Sequence, residues 1–374
     1  MNKEFHKKQN FFSFSDIDSE RKDRIMKFTS TEATPAPHVP PGVLRLTGAA
    51  KEDIPMYHIQ TMNKISPVGL NRFPSELYEV GDAVQDPQGI LVRSAKLLDL
   101  EFNPSLLAIA RAGVGVNNIP LDRCAAAGIP VFSTPGANAN AVKELVICAM
   151  LMGSRDIPGA IRWVREQAAS GVDVSTVVEK GKSAFIGPEL YKKTLGIIGL
   201  GAIGSIVANT AISLGMDVYG YDPFLSVDTA LRLDRHVHVV KDINDLYKRS
   251  DYITMHIHYT EKTAHMIDAD AIAAMKRGVR VINLARGEIV DDEAMLTALD
   301  TGMVAAYITD FPNNRLLTAP HVIAMPHLGA STPESEQNCA AMAVDTLRDY
   351  LESGNIRSSV NLPEMTMDRS GVQR

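Results

Sequence analysis

One stretch of this sequence constrains its fold more than any other: a glycine-rich turn, Gly199 to Gly204, of sequence GLGAIG. A short apolar strand, Leu195 to Ile198, leads directly into it, and a helical run, Ser205 to Leu214, follows. A second strand, Val218 to Tyr221, then ends at Asp222. Strand, glycine turn, helix and strand in this order predict the βαβ unit that binds a dinucleotide.

Each glycine of the turn has a separate predicted role. Gly199 makes the tight turn, Gly201 lets a pyrophosphate approach the backbone, and Gly204 lets the helix pack on the strand. Amide groups at the helix N-terminus then bind the phosphates. The residues of the turn expected at the cofactor are Gly199, Gly201, Ala202, Ile203 and Gly204.

Asp222 indicates which dinucleotide binds. It lies 18 residues after Gly204 (222 − 204), where an acidic side chain accepts hydrogen bonds from the adenosine ribose hydroxyls. A carboxylate would repel the 2′-phosphate of NADP, and Pro223 offers no guanidinium to bind one. The predicted cofactor is NAD, and a glycine-rich turn in some other α/β protein is the alternative.

Composition limits the class of protein. At 374 residues, with 45% hydrophobic and 22% charged residues, the chain suits a globular protein of about two domains. A net charge of −6 gives no reason to expect nucleic-acid binding, so local basic residues must bind any anionic substrate. The three cysteines are widely spaced and form no metal-ligand pattern, which favours a cytoplasmic location and no metal. No apolar run approaches the ~18 residues of a membrane span.

The chain is expected to begin with a disordered extension, residues 1–56, and to end with a short tail, residues 366–374. From Tyr57 onward, short apolar strands alternate with helices, which predicts parallel strands joined by crossover helices. A Pro/Gly/Asn-rich break, Thr134 to Asn140, is a predicted hinge. A helix from about Asn140 is predicted to continue toward Trp163, and Gly171 to Tyr191 is predicted to be a loop.

Four further segments, together with the glycine turn, resemble the D-isomer-specific 2-hydroxyacid dehydrogenases. They are VRSA at 92–95, RAGVGVNN at 111–118, NLARGEIVD at 283–291 and PHLGAST at 326–332. The resemblance covers roughly Tyr57 to Met365 and is greatest to members that oxidise D-3-phosphoglycerate to 3-phosphohydroxypyruvate, the first step of the phosphorylated serine pathway.

The resemblance implies an α/β fold of two doubly wound parallel-sheet domains. A Rossmann nucleotide-binding domain, residues 138–328, is then inserted into a flavodoxin-like substrate domain, residues 57–137 and 329–365. The last helix, Pro333 to Gly354, must return to the first unit. The resemblance also implies a homodimer formed largely through the nucleotide-binding domains.

Oxidising a 2-hydroxy acid requires a base for the hydroxyl proton and a cation for the carboxylate. His327 suits the first role, because imidazole titrates near working pH and the residue follows an apolar strand, Val322 to Met325. Arg286 suits the second, because a guanidinium binds a carboxylate bidentately at the usual ligand edge of such sheets. The family uses the matching residues in catalysis.

The family also has a glutamate that orients the histidine and favours its imidazolium form. It is expected 29 residues after Arg286, where this chain has Arg315 (315 − 286). No carboxylate occurs from Phe311 up to Glu334. Either the loop is rearranged and another acid serves, or His327 acts unassisted, or activity is impaired.

The resemblance implies further contacts to both ligands. The backbone of Gly113, Val114 and Gly115 is expected to bind the substrate carboxylate, and Arg93 with Ser94 the phosphate. Lys182 is a weaker candidate for a second phosphate contact, from a partner subunit, and Arg111 could be a ligand or a surface charge. Further residues expected at the cofactor are Asn138, Ala285 and Asp310, the last at the nicotinamide carboxamide.

Two alternatives stay open. A hydroxypyruvate, glyoxylate or D-lactate-type enzyme would keep the chemistry without needing a cationic phosphate anchor at Arg93. An NAD(H)-sensing interaction protein with weakened catalysis is favoured only by the missing glutamate and the N-terminal extension. Because the chain ends about ten residues after Pro363, no C-terminal regulatory domain is expected.

Overall fold

The computed structural model describes residues Met56 to Met365. The predicted disordered extension, apart from Met56, and the predicted tail lie outside the described residues. Within the described part of the chain, no helix is both long enough and apolar enough to cross a membrane.

The first part of the described chain forms a parallel sheet. Its strands are Tyr57–Met62 (β1), Tyr78–Gly81 (β2), Gly89–Val92 (β3), Ala108–Arg111 (β4) and Val131–Phe132 (β5). They pair in the order β2-β1-β3-β4-β5, which is the flavodoxin-like doubly wound order. Strand β3 is buried along its whole length, as expected of a parallel strand with both faces covered.

A second parallel sheet follows. Its strands are Thr194–Ile198 (β6), Asp217–Tyr221 (β7), Val237–Val240 (β8), Tyr252–Met255 (β9), Val279–Asn283 (β10), Val304–Thr309 (β11) and Val322–Ala324 (β12). They pair in the order β12-β11-β10-β9-β6-β7-β8, so the strand order reverses between β6 and β9. This is the Rossmann order with one added strand, and ligands bind at such a reversal. The predicted fold of two doubly wound sheets is confirmed, while the exact domain boundaries stay a prediction.

Helices cover the sheets. They are Pro67–Leu70 (α1), Leu121–Ala126 (α2), Ala139–Arg155 (α3), Ile157–Ala169 (α4), Val174–Gly181 (α5), Ala202–Ser213 (α6), Val227–Ala230 (α7), Ile243–Arg249 (α8), Ala269–Ala273 (α9), Asp292–Asp300 (α10) and Pro333–Ser353 (α11). Helix α11 begins at the Thr332 cap and ends at Gly354, which has a left-handed φ of 73°. Its buried face, including Ala343 and Leu347, packs in the core of the first sheet, so the last helix returns as expected.

Two predictions between Asn140 and Tyr191 are wrong. The helix predicted to continue toward Trp163 breaks at Asp156, whose φ of 42° is left-handed and whose side chain caps α4. The predicted loop contains helix α5, which begins after the Asp173 cap. Helices α4 and α5 contain no buried residue, so they form an exposed arm. The sequence of α5, VSTVVEKG, is rich in β-branched residues, which lowers its helix propensity and made it hard to predict.

Candidate active site

Three neighbouring strands of the second sheet place the main predicted residues at one edge. Strands β10, β11 and β12 pair in parallel, so their carboxyl ends lie side by side. Arg286 follows β10, Asp310 follows β11 and His327 follows β12. The structure therefore brings these three side chains to the edge where ligands of such sheets bind.

Phe311 links two of these residues. Its ring centroid lies 4.8 Å from that of His327, and Cζ of Arg286 lies 5.9 Å from the Phe311 centroid. Arg286 also donates from Nη1 to the carbonyl of Ala285 at 2.7 Å. Sequence reasoning did not single out Phe311, although an aromatic residue directly after Asp310 is a usable signal. The Phe311 ring thus lies beside both His327, the acid/base candidate, and Arg286, the carboxylate-binding candidate.

Asp310 is a buried carboxylate, 1% exposed. Its Oδ2 accepts a hydrogen bond from the Gly329 amide at 3.1 Å, while Oδ1 has no hydrogen-bond partner among the described residues. Burial raises the pKa of Asp310, and the Gly329 amide and the nearby His327 oppose that rise. A buried acceptor of this kind requires a donor, which fits a ligand that carries an N–H group.

The first sheet contributes a second set of side chains at its own carboxyl edge, where β1, β3 and β4 end. Asn63 accepts from the Ser94 amide at 3.1 Å and so holds the loop after β3. Arg111 donates from Nε to the carbonyl of Arg93 at 2.9 Å. Burial, and next the charge of Arg286, lower the pKa of Arg111, and Arg93 adds to this effect. Arg93, Arg111 and Arg286 therefore form one cationic cluster, in which Arg111 is partly buried.

The turn Gly113-Val114-Gly115 lies against two of these guanidinium groups. A Cβ added to Gly113 would lie 3.2 Å from Nη1 of Arg111, and one added to Gly115 would lie 2.7 Å from Nη2 of Arg286. A side chain at either position would displace a guanidinium group from where it lies. The backbone predicted to bind a carboxylate is thus adjacent to the predicted carboxylate-binding arginine.

The two predicted phosphate contacts have different surroundings. Arg93 donates from Nη2 to Oε1 of Glu336 at 2.6 Å, a partner that sequence reasoning missed. Lys182 is ion-paired with Glu179 on the exposed arm and is 65% exposed. Arg93 thus lies in the cationic cluster with Glu336 as its partner, whereas Lys182 pairs with Glu179 of the exposed arm.

A cavity of about 700 Å³ lies beside His327. It is lined by acidic and basic side chains as well as apolar ones, among them His265, Glu288, Asp291, Asp292, Glu293 and Arg315. Arg315 is ion-paired with Glu293, and Asn313 donates to Asp292 at 2.7 Å. The position predicted for the glutamate therefore holds a cation, and the carboxylates that line this cavity come from other positions: Glu288, Asp310 and the start of α10.

The glycine turn has the geometry that its sequence predicts. Gly199 has a φ of 89°, which favours glycine, and a Cβ on Gly204 would lie 1.9 Å from the Gly199 carbonyl oxygen. A Cβ on Gly201 would meet no atom within 4 Å. Asp222 has a further role: its Oδ2 accepts from the Leu200 amide at 2.9 Å and so braces the turn.

These residues fit a dinucleotide. The space over Gly201 suits a pyrophosphate, and the N-terminus of α6, at Ala202 and Ile203, supplies backbone amides. Asn138 has a buried Oδ1 without a hydrogen-bond partner within the described residues, as does Asp310. Unpaired buried acceptors at a ligand edge are satisfied when a ligand donates to them.

Two alanine substitutions in the turn are expected to have different effects. Gly204→Ala places a methyl group on the Gly199 carbonyl and should lower the free energy of unfolding by about 1–3 kcal/mol. Gly201→Ala meets open space, so stability should stay unchanged while NADH binding weakens on the order of tenfold or more. Thermal unfolding and NADH titration of both variants measure these effects. Unchanged NADH affinity in Gly201→Ala would contradict the assignment of the pyrophosphate site.

Comparison with known proteins agrees with this geometry. Residues 147–329 match the family model described as the NAD binding domain of D-isomer specific 2-hydroxyacid dehydrogenases. The chain is 36% identical to the D-3-phosphoglycerate dehydrogenase of Synechocystis sp., over 85% of this chain and 56% of that protein. It is also 36% identical to the hydroxypyruvate reductase of Thermotoga maritima, over 69% of this chain and 83% of that protein.

A solved structure gives the same result. The cofactor(NAD+)-bound 3-phosphoglycerate dehydrogenase of Entamoeba histolytica is similar with a TM-score of 0.65 and 26% identity, covering 82% of this chain and 99% of that one. The chain spans about half the length of the curated D-3-phosphoglycerate dehydrogenases that it matches. The match to the family's NAD binding domain confirms the predicted cofactor.

Proposed function

Because the chain belongs to the family of D-isomer-specific 2-hydroxyacid dehydrogenases, we propose that it oxidises D-3-phosphoglycerate to 3-phosphohydroxypyruvate with NAD, the first step of the phosphorylated serine pathway. The observation that carries this proposal is the cluster of Arg93, Arg111 and Arg286. A substrate with a carboxylate and a phosphate carries about −2.5 to −3 charges at neutral pH, and three guanidinium groups match it.

In this proposal each residue of the site has a separate role in the reaction. Arg286 and the amides of Gly113 to Gly115 bind and orient the substrate carboxylate, since both lie at the same place. His327 accepts the proton of the 2-hydroxyl group as the carbonyl forms, and Phe311 keeps its ring beside Arg286. A bound NAD would supply the acceptor for the hydride that leaves carbon 2 of the substrate. Asp310 accepts a hydrogen bond from the cofactor at its unpaired Oδ1.

A second candidate activity is the reduction of a small unphosphorylated acid such as hydroxypyruvate. The Arg93 guanidinium is already paired with Glu336, which lowers the positive charge available for a phosphate. The relative in Thermotoga maritima that the chain largely covers is named a hydroxypyruvate reductase.

Turnover of NADH with a panel of 2-keto acids tests the proposal. The purified protein is assayed with 3-phosphohydroxypyruvate, hydroxypyruvate, glyoxylate and pyruvate, across pH. We expect kcat/KM to be highest for the phosphorylated acid. Equal or better use of the small acids would favour the second candidate. Binding of NADH without any turnover would instead favour an NAD(H)-sensing interaction protein.

The position of the missing glutamate gives a separate prediction. Arg315→Glu is expected to raise kcat for the NADH-dependent reduction near neutral pH on the order of threefold or more. Replacing a cation of this cavity by a carboxylate favours the imidazolium form of His327, which donates the proton in that direction. Arg315→Gln is the matched control, since it removes the same cation without supplying a carboxylate. The pH profile of kcat for both variants is the measurement. A clear loss of kcat in Arg315→Glu, with no loss in Arg315→Gln, would show that this loop is arranged differently from that of the family.

We also propose that the protein is a homodimer that associates through its nucleotide-binding part. The exposed arm of α4 and α5 supports this, because apolar side chains are exposed along it, including Ile161, Val164 and Val178. Several exposed apolar side chains on neighbouring helices are typical of an interaction site. The cytoplasmic location stays a prediction from cysteine usage.

A further inference from the structure

The ion pair between Arg93 and Glu336 joins distant parts of the chain. Arg93 follows β3 and Glu336 lies in the first turn of α11, and Nη2 and Oε1 are 2.6 Å apart. Both side chains are a little over 40% exposed, so a ligand can reach the pair. An exposed pair of this kind is weak enough for a competing anion to displace it.

The charges around this pair are unbalanced. Arg93 lies beside Arg111, and the guanidinium groups of Arg111 and Arg286 both lie against Gly115. Glu336 is the carboxylate that the described contacts place on this cluster, and its partner there is Arg93. A carboxylate bound to Arg93 occupies the position that a substrate phosphate would need, because both anions require the same guanidinium donors.

We propose that Glu336 is a positioning residue that sets the preference between phosphorylated and unphosphorylated acids by holding Arg93 in the absence of a phosphate. This inference rests on the proposed function, since it concerns the same site. When a phosphorylated acid binds, its phosphate replaces the Glu336 carboxylate on Arg93. When a small acid binds at Arg286, the pair stays intact and balances part of the cationic charge. Glu336 thereby reduces the affinity for phosphate while keeping Arg93 in place.

The substitution Glu336→Gln tests this role. The KM for 3-phosphohydroxypyruvate is expected to fall about three- to fivefold, because the phosphate no longer has to displace an exposed ion pair. The kcat should stay within about twofold of wild type. The KM for hydroxypyruvate should change by less than about twofold, because Arg93 does not bind that substrate. Glu336→Asp, which withdraws the carboxylate by one methylene group, should lie between the two proteins. Glu334→Gln is the matched control, since it removes the same charge from the same helix turn.

Inorganic phosphate gives a second measurement that needs no turnover. Its stabilisation of the protein against heat should be stronger in Glu336→Gln than in wild type, and unchanged in Glu334→Gln. Equal phosphate binding in wild type and Glu336→Gln, or an equal KM change for both acids, would overturn the inference. If wild type does not prefer the phosphorylated acid, the proposed substrate is rejected. The proposed role of Glu336 is still tested separately, because the phosphate titration reports on Arg93 and Glu336 without turnover.

Discussion

Replacing His327 by asparagine is expected to lower kcat by about 10²–10⁴-fold, the usual contribution of a positioned acid/base. NADH affinity and stability should stay close to those of wild type, because the side chain is exposed and contacts the Phe311 ring rather than the core. Steady-state kinetics, NADH titration and thermal unfolding of the variant measure the three quantities.

His265 offers a matched control for this experiment. It lines the same cavity, and its Nδ1 lies 3.9 Å from an oxygen of Asp291, so it is a second histidine beside a carboxylate. His265 lies outside the edge formed by β10, β11 and β12, and His265→Asn is therefore expected to keep kcat. A large loss in His265→Asn, with normal turnover in His327→Asn, would show that the acid/base belongs to the other histidine.

Arg286→Lys is expected to lower kcat/KM by about 10²–10³-fold, because lysine keeps the charge but loses the planar, bidentate contact that orients a carboxylate. The guanidinium also lies near the Phe311 ring and beside Gly115, and the compact ammonium of lysine lacks the planar group that stacks on the ring. Kinetics with the preferred acid, analysed for kcat and KM separately, measure the effect.

Arg277→Lys is the control for Arg286→Lys, because the two arginines flank opposite ends of strand β10. Arg277 precedes β10 and donates to the carbonyl of Thr301, far along the strand from the carboxyl edge. Arg277→Lys should leave kcat/KM within about twofold, as exposed surface substitutions usually do. If Arg286→Lys were equally harmless, the substrate carboxylate would have to bind elsewhere in the cationic cluster.

The features that could be predicted from the sequence are those determined by residues close together in the chain. The turn at Gly199 needs a positive φ, and contact with Gly204 leaves no room for a side chain, so those glycines were informative by themselves. Arg286 and His327 were predicted because each follows an apolar strand, and the carboxyl ends of parallel strands meet at one edge.

The features that were missed depend on contacts between distant residues. Glu336 is 243 residues from Arg93, and no pattern in either segment indicates the other. The same holds for Glu293 and Arg315, whose pairing occupies the position of the expected glutamate. The arm helix α5 was missed for a different reason: its sequence, VSTVVEKG, is rich in β-branched residues and ends in glycine, and both lower helix propensity.

One measurement tests the central claim most directly: a single turnover with 3-phosphohydroxypyruvate and NADH that carries deuterium on both hydrogens of nicotinamide carbon 4. We expect NADH to be oxidised and the product to be D-3-phosphoglycerate with one deuterium at carbon 2, because hydride transfer moves one hydrogen of nicotinamide carbon 4 to the substrate. The same mixture with His327→Asn should form this product far more slowly. Unoxidised NADH, or a product of the opposite configuration, would contradict the assigned activity.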